Sequence, residues 1–560
     1  MEYYPKYAES KELSQYSTGK LEYRDGDYYT NGVIIDNNRA LHGDTVYYDK
    51  FSNSVMGIES RSGEKIVGVL RIDDNKRYGF NKKNVPYVKF SSVSGKYPNF
   101  IVPCKLRSKE AQYCIVSLNR WNTRDKHPVA QIEEYLGEVS DEYSTVKMLL
   151  AKVGIRRTGR RIEYNPVVDF QHLEADYHTF SIDPEGCRDI DDAFHFKKFK
   201  TGETEIGIHI ANVARHIKSA KLPFFSSIYY NNGEQDNMIG NDWSYNTCSL
   251  VNGEKRMALS LIIKFRGDCI VAKKFQECIV KNTALSYNDA NDANDANDDN
   301  CKYREVRDLL EFSRAHFEEP NMTAQKMVEK YMIMYNSSVA SKLYYSNPDE
   351  VILRTHAGQK GIGNIPSIHT ALDEFINRRQ MEAAVYAVAP DDTTHRTLGL
   401  DFYTHATSPI RRYVDIINQH MIISCIDKSY TWSREDFLVD VDKMNAFNKS
   451  LRKFYNHYKK LEIIHSGQLE SESGTREFDA FIVGIKGVKL EIYIPELDIT
   501  HKTQIISPKL LMAGDVKFSA GETWTTVNEI EYSLYQRIQV SITPRISECV
   551  FNRKLHVSII

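Results

Sequence analysis

The chain lacks several features that would have fixed its class early. Its nine cysteines are scattered singly through 560 residues, with no Cys-x-x-Cys pair and no histidine at zinc spacing. A disulfide framework and a structural zinc site are therefore not expected, and an odd, unpatterned count suits a reducing compartment. Neither sign of charge is in excess: the formal net charge is -2. A globally basic protein is excluded, so a nucleic-acid partner would have to be met by local positive charge. No apolar run approaches the roughly 20 residues of a membrane-spanning helix. The opening Met-Glu-Tyr-Tyr-Pro-Lys has no basic segment leading into an apolar one, so no signal peptide is expected. An intracellular protein, cytoplasmic or nuclear, without a membrane partner is the expectation.

What the chain does have is an ordinary globular composition, 41% hydrophobic and 26% charged, and a length beyond one hydrophobic core. Within it, residues 181–196 gather Asp183, Asp189, Asp191 and Asp192 inside ten positions, between apolar, strand-like flanks. Four carboxyl groups so close repel one another unless they are solvated, partly protonated or neutralised by cations. Carboxylate oxygens are hard ligands suited to Mg2+ or Mn2+, and Mg2+ leaves coordination positions open for water and phosphate. Two such ions flanking a phosphodiester activate water and stabilise the leaving oxygen. A solvated acidic turn or a structural Ca2+ loop is the plain alternative, although an EF-hand register is absent.

A second cluster, Tyr403-Thr404-His405-Ala406-Thr407-Ser408-Pro409-Ile410-Arg411-Arg412-Tyr413-Val414-Asp415, reads as a helix start with Ser408 as N-cap and Pro409 in the first position. Free N–H groups there, with Arg411 and Arg412 in the first turn, would cradle phosphate. An ordinary capped helix whose arginines pair with Asp415 is the bland reading.

Elsewhere the chain alternates between short β-runs and helical spacing. Short strands separated by turns over residues 20–60 and 64–120 suggest two small barrels, and β-patterning returns from Phe478 to Ile542. Strands near Thr179–Ile182 and Glu205–Val213 bracket the acidic loop. Helical spacing is clearest over residues 324–345, where Val328, Met332, Tyr335, Val339 and Leu343 form a stripe. Glu329 and Asn336 project together beside it. Arg156, Arg157, Arg160 and Arg161 form a basic cluster, either an RNA contact or a solvated turn. The Asp-Ala-Asn repeat at 289–300 is low-complexity and is expected as a surface loop.

Asp183-Pro-Glu-Gly-Cys-Arg-Asp-Ile-Asp-Asp-Ala193 resembles the active-site signature of the ribonuclease II / ribonuclease R superfamily, the RNB-domain exoribonucleases. Gly186-Cys187 and His195 look closest to the eukaryotic, exosome-type branch. Further matches follow in order: His42-Gly43-Asp44, Tyr97–Pro103, Asp125–Val129, Ser227-Ile228-Tyr229, Cys248-Ser249-Leu250, Leu285-Ser286-Tyr287, Met327-Val328-Glu329 and the Arg411 segment. The resemblance implies an α+β multidomain chain. Residues 1–62 and 63–140 would be cold-shock-type OB barrels, 141–470 a mixed α/β RNB catalytic domain, and 471–560 a C-terminal OB barrel. The endonuclease-like domain that precedes the barrels in the nuclear exosome enzyme is not expected.

It further implies a processive 3′-to-5′ exoribonuclease that cuts single-stranded RNA to nucleoside 5′-monophosphates with Mg2+ or Mn2+, acting as a monomer. Asp183, Asp189, Asp191 and Asp192 would hold metal, with Asp189, Asp191 and Arg411 catalytic. Tyr229, Tyr287, Glu329, Asn336, Arg411 and Arg412 would contact RNA. Two departures stand out: Asn212 and Lys255 occupy positions where relatives carry acids. A catalytically inactive RNA-binding scaffold, or a subunit of an RNA-degradation complex, is the rival expectation.

Overall fold

In the computed structural model the described residues are 16–560, apart from 25, 75, 123–124, 156–158, 160, 166–175, 223, 231–232, 293–300, 358–368, 438, 467–468, 472–473, 506–517, 522, 528–529, 546, 548 and 553. Arg156, Arg157, Arg160 and the second part of the Asp-Ala-Asn repeat lie outside them. The chain forms two compact units, Met1–Ile155 with Ile368–Asp373 and Ser450–Ile560, and Arg156–Ser367 with Glu374–Lys449. Among the described residues no helix is long and apolar enough to cross a membrane.

The first unit holds the three β-modules expected from the patterning. Residues 17–60 make two three-stranded sheets around Leu21, Ile35, Val46, Tyr48, Val55 and Ile58. A bridge between Asp36 and Ser54 links them, so this module is a pair of small sheets where a closed barrel was expected. The five strands Ile66–Leu70, Tyr87–Ser92, Phe100–Pro103, Gln112–Arg120 and Val129–Glu138 do close into a barrel around Phe90, Phe100 and Val116. The C-terminal module is a five-stranded sheet. Along its strand Arg537–Arg545 the inward Ile538, Val540 and Ile542 alternate with outward residues, the period of a half-buried strand. Its end strands approach each other where the Thr503 hydroxyl donates to the Val557 carbonyl at 3.0 Å.

The second unit is built on another closed barrel, which the sequence reading did not foresee. Its strands are β1 (Asp176–Asp183), β2 (Asp192–Lys198), β3 (Glu203–Ala211), β4 (Lys255–Arg266) and β5 (Cys269–Ser286). β1 and β5 close the ring in parallel, with Asp183 opposite Ser286. Inside the barrel runs a polar chain: His195 Nδ1 to His209 Nε2 at 2.7 Å, His209 Nδ1 to Ser260 Oγ at 2.7 Å, and Ser260 Oγ to Cys278 Sγ at 2.9 Å. Gly207 makes room for it, since a Cβ there would lie 2.3 Å from the His195 ring. Burial holds the His209 imidazole well below its usual range, so it stays neutral and bridges as both donor and acceptor.

Four of the helices that follow β5 bear on the site: α1 (Tyr287–Asp292), α2 (Cys301–His316), α3 (Ala324–Ser346) and α4 (Tyr413–Ile426). In α3 the expected stripe is buried at Val328, Tyr335, Val339 and Leu343, and the Tyr335 hydroxyl donates to the Leu259 carbonyl of β4 at 3.0 Å. α4 is apolar around nearly its whole circumference and is buried accordingly. Some of its polar groups are met internally: Asn418 donates to Thr404 Oγ1 and the His405 carbonyl, and Gln419 to the Ala211 carbonyl, whereas Asp415 Oδ2, Asn418 Oδ1 and His420 Nε2 are buried without a hydrogen-bond partner among the described residues.

Candidate active site

The acidic loop joins β1 to β2 and is clamped at several points. Its turn closes through the Cys187 N–H on the Pro184 carbonyl at 3.1 Å, with Gly186 at φ +80°, a backbone region that favours glycine. Ser249 then accepts from the Ile190 N–H and donates to the Arg188 carbonyl, both at 2.9 Å. The Leu250 N–H donates to the Ile190 carbonyl, and the Ala211 N–H to the Asp191 carbonyl. The Arg188 guanidinium lies 3.8 Å over the Tyr245 ring. Ser249 belongs to a stretch recognised from sequence, but its part in fixing the loop depends on contacts some 60 residues apart.

The loop opens into a cavity of about 530 Å³. Asp183, Asp189, Asp191 and Asp192 stand on one side of it, with Tyr229 and Tyr287; Val328, Glu329, Met332 and Ile333 of α3 and the 403–412 segment supply the rest. The parallel pairing of β1 with β5 is what sets Tyr287 beside Asp183. Tyr229 is fixed by the anchoring of Ser227 N–H on the Arg411 carbonyl, and its hydroxyl donates to Asp189 Oδ2 at 2.5 Å. Glu329 is exposed and pairs with Lys326 at 2.9 Å.

The Ser408–Arg412 segment differs from the expected capped helix. α4 begins at Tyr413 with Arg412 at its N-cap position, and residues 409–411 form a turn. The reason is that the N–H groups are already engaged: Ser408 donates to Asp415 Oδ1 at 2.7 Å and Ile410 to Asp191 Oδ1 at 2.9 Å. The anion bound at this turn is the protein's own Asp191. Arg411 Nε lies 3.3 Å from Asp191 Oδ2, and its terminal nitrogen donates to Ser408 Oγ at 2.9 Å. Arg411 is nonetheless 45% exposed, so its outer face is open to the cavity. Arg412 also lines the cavity, pairing with the fully buried Asp415 at 2.8 Å and donating to Thr407.

Asn336 is buried to 3% exposure. Its amide donates to the Tyr403 hydroxyl and to Thr407 Oγ1 and accepts from the Ala406 N–H. Asn336 lines the cavity, and its hydrogen bonds hold the segment that leads into Arg411. Neither Asn212 nor Lys255 lines the cavity. Asn212 is buried and donates to Glu277 Oε1 at 2.7 Å, within a network where Arg215 bridges Glu277 and Asp427. An acid here would set two carboxylates together. We expect Asn212→Asp to lose about 2 kcal/mol of stability at pH 7, measured by urea unfolding.

The electrostatics of the acidic loop bear on cation binding. Burial, then Asp189, pushes the Asp183 carboxyl up to about 6; burial, then Asp183, pushes Asp192 up to about 8. Burial also raises Asp191, against the pull of Arg411. Asp183 Oδ2 is buried with no hydrogen-bond partner. A hard-oxygen donor set with an orphaned oxygen, whose carboxyls are raised by burial and by one another, is one whose charge a divalent cation would relieve. Among the described residues, however, no three His, Cys, Asp or Glu side chains already stand at metal-binding spacing, because Asp191 and Asp189 are spent on Arg411, Ile410 and Tyr229.

An acid raised in the folded state binds more protons there than in the unfolded chain, so it costs stability as pH climbs from about 4 towards 8. Asp192→Asn mimics the protonated acid. In chelator it should match wild type near pH 4 and melt at least about 3 °C higher at pH 8 by calorimetry.

Residues 168–317 and 313–428 match the RNB domain. The mouse (Mus musculus) exosome complex exonuclease RRP44 is 22% identical over 611 residues, covering 91% of this chain and 62% of that protein, so the chain spans under two thirds of this relative. Among solved structures, Mycoplasma genitalium RNase R in complex with ribose methylated single-stranded RNA superposes with a TM-score of 0.70 at 16% identity, covering 97% of this chain and 100% of that one. Yeast Ssd1, a pseudonuclease, superposes at 0.65 and 14% identity, covering 100% and 99%. At such identities the structural likeness establishes the fold alone.

Proposed function

Because the chain belongs to the RNB-domain superfamily, we propose that it is a metal-dependent 3′-to-5′ exoribonuclease that cuts single-stranded RNA to nucleoside 5′-monophosphates. One observation carries the reading: the partnerless buried oxygen of Asp183 shares a cavity with the half-exposed guanidinium of Arg411. The first suits a cation, the second a phosphate.

Asp183, Asp189, Asp191 and Asp192 are the residues that would hold Mg2+ or Mn2+. When bound, such a cation supplies Lewis-acid polarisation of a phosphoryl oxygen and a water of lowered pKa. The rest is done by the chain. Arg411 exchanges its contact with Asp191 for a phosphate oxygen, which frees that carboxylate and places fixed positive charge where negative charge develops. The Tyr229 and Tyr287 rings offer faces on which bases of any identity can stack. Met332 and Ile333 of α3 give the cavity a dry wall, which strengthens the electrostatic contacts. Asn336 and Ser249 act by position, holding the two charged segments. The closed barrel of the first unit is of the kind that binds single strands by backbone tracking and stacking.

The test is digestion of a 5′-labelled single-stranded RNA in Mg2+, with a 3′-phosphate-blocked RNA and a DNA of the same sequence alongside. Stepwise shortening of the free 3′-OH RNA to a short limit fragment, with the DNA intact, is the expected result. RNA bound tightly yet left intact in both Mg2+ and Mn2+ would instead support a non-catalytic RNA-binding scaffold. The engagement of Asp191 by Ile410 and Arg411 is the observation that favours that second reading.

A further inference from the structure

A second cavity, of about 460 Å³, lies within the first unit. Strand Ile66–Leu70, the turn at 92–97, the end of helix Glu142–Lys152 and residues 450–457 enclose it. Four lysines and two histidines line it against one acid, Glu64. That acid is engaged, since Glu64 Oε2 accepts from the Tyr97 hydroxyl at 2.5 Å, and Lys65 pairs with Glu133 outside. Among the described residues Lys96, Lys152 and Lys453 have no carboxylate at ion-pair distance.

The sharpest feature is at His42. Its Nδ1 accepts the Tyr23 N–H at 2.9 Å, so the ring proton must sit on Nε2. Nε2 lies 3.2 Å from Lys96 Nζ, which has only protons to offer. Two donors therefore face each other without an acceptor, an arrangement that an anionic oxygen seated between them would satisfy. Burial and then Lys96 hold the His42 imidazole below its usual range, as a ring facing an ammonium requires; Lys152 is lowered by burial and then by Lys554, and its ammonium lies 4.7 Å over the Phe551 ring. Val67, Val93 and Val153 supply an apolar wall beside the Tyr97 ring, and the volume falls in the range of small-ligand sites.

We propose that this cavity is a second, non-catalytic site for a nucleotide phosphate, taken either from a free nucleoside 5′-phosphate or from a phosphodiester group of an RNA strand. It shares no residue with the acidic cavity, and its occupancy does not depend on hydrolysis there.

Pyridoxal 5′-phosphate tests this directly, because it carries a phosphate, a ring and an aldehyde that condenses with a nearby lysine, after which borohydride fixes the imine as a stable amine. The full-length protein is labelled in chelator and the modified lysines are read by peptide mass spectrometry. Labelling of Lys96, Lys152 or Lys453 should run about fivefold or more above that of exposed Lys50, and 5′-AMP or a 12-nucleotide oligo(U) should suppress it. Protection by 5′-AMP identifies the free nucleotide as a ligand, and protection by oligo(U) alone identifies the strand. In a Lys96→Met protein with an unchanged circular dichroism spectrum, protection at Lys152 and Lys453 should disappear. Labelling at the rate of Lys50, or labelling that neither competitor reduces, would overturn the proposal.

Discussion

Asp191→Asn should abolish RNA hydrolysis, by at least about 10³-fold or roughly 4 kcal/mol of transition-state stabilisation, while leaving a folded protein. The expectation of intact folding is specific. Asp191 is 4% exposed, and burial raises its carboxyl, so the charged form is a burden on the empty protein. The amide keeps an oxygen for the Ile410 N–H and gives up only the contact to Arg411, which is 3.3 Å long and has a half-exposed partner. Melting temperature should therefore stay within a few degrees of wild type. Digestion of the labelled RNA under single-turnover conditions measures the loss. Hydrolysis within tenfold of wild type would mean that Asp191 is a packing residue of the loop.

Arg411→Ala should lower kcat by about 10²- to 10³-fold with a smaller change in KM, since the guanidinium is assigned to charge that develops during the reaction. Arg411→Lys should recover part of this, because an ammonium restores charge but cannot bond bidentately. The substitution also leaves the Asp191 carboxylate without its cation, which pushes that carboxyl higher still. Activity of Arg411→Ala should accordingly improve towards alkaline pH more than wild type does. A rise in KM alone, with kcat preserved, would reassign Arg411 to uniform substrate binding.

The charged clusters were readable because like charges crowded within a few residues are costly in any fold. Asp183 to Asp192 and Arg411 do share one cavity, and the strand patterns around them correspond to β1 and β3. The start of α4 was misread for a physical reason. Ser408-Pro409 carries a helix-start signal, but the N–H groups of its turn are taken by Asp191 and Asp415, and Asp191 lies more than 200 residues away. Arg412 and Asn336 line the cavity, but each also meets a buried counterpart, Asp415 and the 403–407 segment, that spacing along a helix cannot reveal. The closure of β1 to β5 and the His195–His209–Ser260–Cys278 chain were equally invisible, because they depend on register across strands rather than on local pattern.

That closure also governs when the site comes into being. Asp183 and Ser286 are neighbours only after about a hundred intervening residues have been looped back, and parallel pairing across such a span is entropically slow to nucleate. The cavity draws on segments near 183–192, 229, 287, 329 and 411, so no early fragment of the folding chain can hold it. A nascent or partly unfolded molecule would carry the acids without the arginine, and so the charge without the chemistry. Hydrolysis would then be a late-arriving signal, and its recovery on refolding should lag behind the return of β-sheet.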